Sequence, residues 1–143
     1  MDYLATFDIS ASGMAAQKLK LDTVALNLAN ASTTQTAAGG PYRRQHVILG
    51  ERVGDASFQA ALLREQGSRY GGVEVVQIQE DDSPPRLVFE PGHPESDERG
   101  FVAYPNVDVL AEMVVLLAAT RLYEANVRVL SAARAMALRA LDI

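Results

Sequence analysis

The chain has 143 residues, 48% of them hydrophobic, with 13 basic against 18 acidic side chains and a net charge of −5. That length holds one ordinary domain, or one small domain with extended arms. The acidic balance argues against nucleic acid or an anionic membrane as a partner, because both demand a basic face, and the absence of cysteine excludes a disulfide framework and thiolate chemistry.

The first residues, Met1 to Leu4, lack the basic start and unbroken apolar core of a cleaved signal peptide. No stretch approaches the roughly 20 apolar residues of a membrane span. From Leu4 to Ser32 the pattern predicts a helix, with Leu4, Phe7, Ala11, Met14, Lys18, Leu21, Ala25, Leu28 and Ser32 holding a three-four spacing that Lys18 interrupts. A second line of Ile9, Ala16, Leu19, Thr23 and Leu26 widens that face, and abundant Ala and Ser allow close backbone approach. Gly13 is its weak point, costing about 1 kcal/mol relative to alanine.

Between Thr33 and Pro105 the composition changes: every glycine except Gly13 and all six prolines fall there. This shift divides the chain into residues 1–33, 34–105 and 106–143. Within the middle, Tyr42 to Leu49, Gly72 to Gln79, Arg86 to Glu90 and Phe101 to Tyr104 read as short strands. They are separated by turn signals at Ser83-Pro84-Pro85, Pro91-Gly92 and Arg99-Gly100. Asp55 to Gln66 fits a helix face or a bent strand equally well.

The last stretch, Asn106 to about Leu141, contains neither Gly nor Pro and predicts one helix on the order of 50 Å long. Asn106 suits the N-cap, Asp108 and Glu112 place negative charge near the positive end of the helix dipole, and Arg128, Arg134 and Arg139 fall toward the other end. Val109, Met113, Leu116, Thr120, Tyr123, Val127, Leu130, Arg134, Ala137 and Leu141 form the expected coiled-coil seam. Val115, Leu122, Val129 and Met136 run beside it, which makes the apolar face wider than one partner helix covers. The fold class expected is α+β, with long terminal helices packing as a coiled coil around a small β-rich middle.

Reactive chemistry is sparse. His46 and His93 are the only histidines, and neither has a nucleophile or metal ligands at a recognisable spacing. The acidic Glu80-Asp81-Asp82 run and Glu95, Asp97 and Glu98 lack the alternating carboxylates of a calcium loop, and Gly39-Gly40 does not open a helix with Lys-Ser or Lys-Thr. Arg43-Arg44 reads either as a charged strand edge kept soluble or as an ion-pairing contact to an acidic neighbour. No catalytic residue, metal, cofactor, small-molecule substrate or nucleic-acid partner is expected.

Four motifs in order carry a family resemblance. They are Asn27-Leu28-Ala29-Asn30-Ala31-Ser32-Thr33; Pro41-Tyr42-Arg43-Arg44; Pro105-Asn106-Val107-Asp108 with Glu112-Met113-Val114; and Arg121-Leu122-Tyr123-Glu124-Ala125-Asn126. Together with the two-helix bracket they resemble the bacterial flagellar basal-body rod proteins over essentially the whole chain. The short middle, with Arg86-Leu87-Val88-Phe89-Glu90-Pro91-Gly92-His93-Pro94, looks like the proximal members. Arg52 to Arg69 matches least.

The resemblance implies a structural subunit that polymerises helically into the rod, the drive shaft between the inner-membrane ring and the hook. It further implies export through the flagellar type III apparatus without a cleaved signal peptide, residence in the periplasmic basal body, terminal helices in the axial core and an outward-facing middle. The partners implied are copies of the chain, other rod proteins, and inner-membrane ring and rod-adaptor proteins. Subunit-interface positions expected on this basis and from the seams are Leu4, Phe7, Met14, Leu21, Asn27, Leu28, Asn30, Asn106, Asp108, Met113, Leu116, Tyr123, Asn126, Val127 and Leu130. The three asparagines Asn27, Asn30 and Asn126 become candidates for hydrogen bonds between packed helices. A secreted helical effector or export chaperone shares the long amphipathic helices and acidic balance but has no need of a Gly- and Pro-rich strand insert. An enzyme requires a closed polar site around His46 or His93.

Overall fold

The computed structural model describes residues 3–52 and 71–141. Helix α1 (Tyr3–Ala29) is followed by strands β1 (Gln45–Glu51), β2 (Val73–Glu80), β3 (Arg86–Phe89) and β4 (Phe101–Tyr104), and helix α2 (Val109–Leu141) closes the chain. The fold is α+β: two long helices bracket two antiparallel ribbons, β1–β2 and β3–β4. β4 lies where the alternation places it, whereas β1 starts at Gln45 rather than Tyr42, because Tyr42 and Arg44 are drawn toward α1 and α2 by side-chain bonds. The ambiguous segment from Asp55 to Gln66 lies outside the described residues.

The helices run antiparallel. Asn27 meets Glu112, and an equal step back along α1 and forward along α2 brings Gly13 against Asn126. A Cβ on Gly13 would stand 3.0 Å from Asn126 Nδ2, so the Asn126 side chain lies directly on the Gly13 backbone and leaves no room there for a large side chain. Small or polar side chains occupy the contact: Ser10, Ala16, Thr23, Val24 and Asn27 are the buried residues of α1, and Glu112, Ala119 and Ala133 those of α2.

This corrects the expected seams. Phe7, Met14, Leu21 and Leu28 are partly buried, but Leu4, Ala11 and Ala25 of the same expected seam face solvent, as does Lys18, which interrupts it. On α2, Leu116, Leu130 and Ala137 are partly buried, while Val109, Met113, Val127, Arg134 and Leu141 are exposed. Large apolar residues define the strongest periodicity, yet the closest helix contact selects small ones and moves the large ones to its margins.

The helix start is a second correction. Asp108, not Asn106, caps α2: its Oδ1 accepts from the backbone N–H groups of Leu110 at 2.9 Å and Ala111 at 3.2 Å. With Val109 as the first helical residue, only the side chain immediately before it reaches those otherwise unpaired donors.

The β1–β2 ribbon packs on α1, so α1 is held between α2 and a sheet and buries residues on more than one side. Ser12 fastens the ribbon's edge, its hydroxyl donating to Ile9 O at 2.7 Å and accepting from Val73 N at 3.1 Å. Gly72 makes the approach possible: its φ is +74°, and a Cβ there would lie 2.5 Å from Ser12 Oγ. In the β3–β4 ribbon, Val102 is fully buried, and the rings of Phe89 and Phe101 meet edge to face at 5.3 Å.

Candidate assembly interface and its polar anchor

A polar cluster sits where the end of α1, the start of β1 and the first turn of α2 converge. Asn27 Nδ2 donates to Gln45 O at 2.9 Å and to Glu112 Oε2 at 3.1 Å, and its Oδ1 accepts from Tyr42 Oη and Gln45 N, both at 2.9 Å. The amide is therefore fully satisfied, as burial requires. Arg44 Nε donates to Glu112 Oε1 at 2.5 Å, closing a chain from arginine through carboxylate to amide. Burial raises the Tyr42 phenol above its usual pKa, with the negative charges of Glu112 and then Glu80 acting in the same direction.

The Arg43-Arg44 pair makes ion pairs within the chain, Arg44 to Glu112 and Arg43 to Asp82 at 3.4 Å. His46 Nε2 lies 3.4 Å from Asp81. The carboxyl of Asp81 is held below its usual range first by the Ser83 hydroxyl at 2.5 Å and then by the Ser83 N–H at 2.9 Å. His93 Nδ1 accepts from Glu95 N at 3.1 Å in its own turn. Among the described residues no group of His, Asp and Glu is arranged to hold a metal ion, and no helix is long and apolar enough to cross a membrane.

The expected interface residues separate into three sets. Asn27, Asn30 and Asn126 find partners inside the chain: Asn30 Nδ2 donates to Leu26 O and its Oδ1 accepts from the Thr33 hydroxyl, and Asn126 Nδ2 donates to Leu122 O. Phe7, Met14, Leu21, Leu28, Leu116 and Leu130 are partly buried. Leu4, Asn106, Asp108, Met113, Tyr123 and Val127 are exposed, Leu4 at 79%. Outside the expected set, Leu110, Leu117, Leu122, Val129, Met136 and Leu138 are also exposed on α2. The second stripe of the sequence pattern already marked Leu122, Val129 and Met136. The parts played by Tyr42, Arg44 and Glu112 carry no periodic signal and emerge only from the fold.

An elongated antiparallel hairpin, anchored at one end by a buried polar cluster and apolar along both outer borders of its longer helix, defines an assembly subunit. Comparison with known proteins agrees. Residues 7–35 match the family described as flagella basal body rod protein, and residues 98–143 the one described as flagellar basal body rod FlgEFG protein C-terminal. The chain is 36% identical to the flagellar basal-body rod protein FlgC of Borreliella burgdorferi over 149 residues, covering 100% of this chain and 98% of that protein. It is 41% identical to FlgC of Salmonella typhimurium, at 100% and 98% coverage, and 40% identical to FlgC of Bacillus subtilis, at 96% and 95%. The chain belongs to the flagellar basal-body rod protein family and is a structural rod subunit of the flagellum.

Proposed function

We propose that the chain polymerises helically, with copies of itself and with other rod proteins, into the proximal part of the drive shaft between the inner-membrane ring and the hook. The observation that carries this reading is the pair of apolar borders on α2, Met113, Leu117 and Val127 on one side and Leu122, Val129 and Met136 on the other, all exposed. Each such side chain contributes about 1.5–3 kcal/mol when fully buried, and contacts between copies that do not close on themselves build an open helical array.

In this array residues 1–33 and 106–143 form the axial core, and residues 34–105 face outward. Inner-membrane ring and rod-adaptor proteins are the neighbours at the base. The subunit reaches the periplasm through the flagellar type III apparatus without a cleaved signal peptide. It acts as a mechanical part, with no catalytic step and no cofactor.

The test is a deletion strain imaged for hooks and filaments. Loss of both, restored by the intact chain but not by one carrying Leu122→Asp and Val129→Asp, is the expected result. Normal filaments without the chain would overturn the reading.

A further inference from the structure

The two faces of the β3–β4 ribbon differ: one carries Val88 and Val102 with Arg86 stacked over Tyr104 at its end, and the other carries apolar side chains alone. The register pairs Phe89 with Phe101 and Leu87 with Ala103, so Leu87, Phe89 and Phe101 share the face opposite buried Val102. That outer face is open, with Leu87 and Phe89 each 63% exposed. Beside it, the connection from Phe89 to Phe101 carries Glu95, Asp97 and Glu98, all exposed, against the single arginine Arg99. The surface is thus an apolar strip with an acidic rim.

Helix α2 presents the complement. From Arg121 to Leu141 it carries four arginines, Arg121, Arg128, Arg134 and Arg139, against one acid, Glu124. At 100° per residue, Arg121, Arg128 and Arg139 run along one margin of the exposed Leu122, Val129 and Met136 stripe, with small alanines between. Arg121 and Arg128 share Glu124 at 3.3 and 3.8 Å, but these are exposed pairs within one helix, worth little and free to exchange partners.

The two surfaces do not meet within one chain. The ribbon ends at Tyr104, just before α2 begins at Val109, and the Leu122 to Met136 stretch lies about 20–40 Å further along that helix. Among the described residues, neither β3 nor β4 packs on either helix. We propose that the outer face of the β3–β4 ribbon receives the Leu122–Val129–Met136 stripe of α2 from a second copy of this chain, with the α2 arginines against the acidic rim. Because donor and acceptor surfaces differ, each copy offers both to its neighbours, and the contact propagates head to tail. The proposal rests on the rod reading and names one contact within it.

The absence of cysteine from the chain makes the test direct. Two versions of the full chain, one Leu87→Cys and one Val129→Cys, are co-expressed in the deletion strain, and basal bodies are isolated after mild oxidation. A disulfide needs the two Cα atoms within about 7 Å. The mixed pair should give a cross-linked dimer several-fold above a control pairing Leu87→Cys with Glu74→Cys on β2. Arg128→Glu should reduce the yield several-fold and Glu98→Arg should restore it. Should Leu87→Cys impair assembly, Phe101→Cys takes its place.

A yield at the control level, a Leu87→Cys chain linked mainly to its own kind, or linkage only to a different rod protein would each overturn the contact. If the cysteine strains still build hooks and filaments, the rod reading survives that failure. If the deletion strain builds them unaided, the rod reading is what has failed.

Discussion

Asn27 and Glu112, 85 positions apart, meet at 3.1 Å with each only 1% exposed. Glu112 is one of the largest fully buried side chains of the described chain, and it is a carboxylate. Its charge is met by Arg44, so removing it leaves a guanidinium whose one remaining acidic partner among the described residues is Asp81 at 4.0 Å. Glu112→Ala should cost about 3 kcal/mol, the lower end for breaking a buried ion pair, because Arg44 keeps some access to water. Asn27→Ala strands Gln45 and Tyr42 and should cost about 1–3 kcal/mol. The double variant should fall short of the sum by at least about 0.5 kcal/mol, as expected for residues in one network. Urea unfolding of the four proteins measures this; strict additivity would show that the two act independently.

Tyr42 gives the cluster an alkaline limit. Its phenol has a folded pKa raised above the ordinary 10.0 by burial, Glu112 and Glu80, so the folded chain holds that proton more tightly than the unfolded one. The stabilisation is complete below the unfolded value and is lost as pH rises through the folded pKa. Tyr42→Phe should lower stability at neutral pH, through the lost hydrogen bond to Asn27, and should then lose less than the natural chain on going above pH 10. Unfolding midpoints taken across that range decide it, and parallel curves for the two proteins would dismiss Tyr42 as the source.

The cap of α2 separates two neighbouring polar residues. Asp108→Ala removes the acceptor of two backbone N–H groups and should cost about 0.5–2 kcal/mol, while Asn106→Ala, an exposed position ahead of the helix, should change stability by no more than about 0.5 kcal/mol. Thermal melts of both variants test the assignment. The reverse ranking would return the cap to Asn106.

The helices, the four strands and the family were legible because each has a local signal: Gly- and Pro-free terminal runs, alternation between turn residues, and ordered motifs. The seam was not, since three-four spacing weights Leu4, Met113 and Val127, whereas the inter-helix contact is made by Ala16, Thr23, Asn27, Glu112 and Ala119, with the Asn126 side chain against Gly13. Asn27 was marked as a candidate for a hydrogen bond between helices, but its partners were invisible, because Gln45 and Glu112 lie 18 and 85 positions away. Arg44 showed only as half of a basic pair with two readings. Its ion pair with Glu112 settles the matter in favour of the acidic neighbour, which is in the same chain.

Gly13 offers a direct measure of the close approach. Alanine gains about 1 kcal/mol over glycine in a helix interior, but its Cβ would stand 3.0 Å from Asn126 Nδ2, with the rest of that amide at 3.3 Å. In the natural background Gly13→Ala should therefore recover less than the full gain. In an Asn126→Ala background the obstruction is gone, and the same change should stabilise by about 1 kcal/mol. Equal effects in both backgrounds would mean that the helices are further apart than 3.0 Å implies.

The hairpin should be unevenly stable. At its anchored end the Asn27, Glu112 and Arg44 bonds, the partly buried Leu28 and Leu116, and the attachment of Gln45 all act together. Toward the other end the buried residues of the helix pair shrink to Ser10 and Ala133, Leu4 and Leu141 stand exposed, and α1 is held there chiefly by the ribbon, through Ser12 with Val73 and Asp8 with Arg52. Ordering each residue costs about 1–2 kcal/mol, which a contact between alanine and serine side chains offsets poorly, while the Leu122, Val129 and Met136 stripe contributes only when a neighbour covers it. Local opening follows such differences in burial. In the isolated chain, amide hydrogen exchange should therefore be fastest over residues 3–9 and 130–141, slower through the middle of each helix, and slowest around Asn27 and Glu112. Assembly into the rod should raise protection most at the loose end, because that is where the missing burial is supplied. Uniformly strong protection along both helices of a proven monomer would mean the hairpin is self-sufficient, and its exposed stripes would then serve for attachment alone, with no part in ordering the subunit.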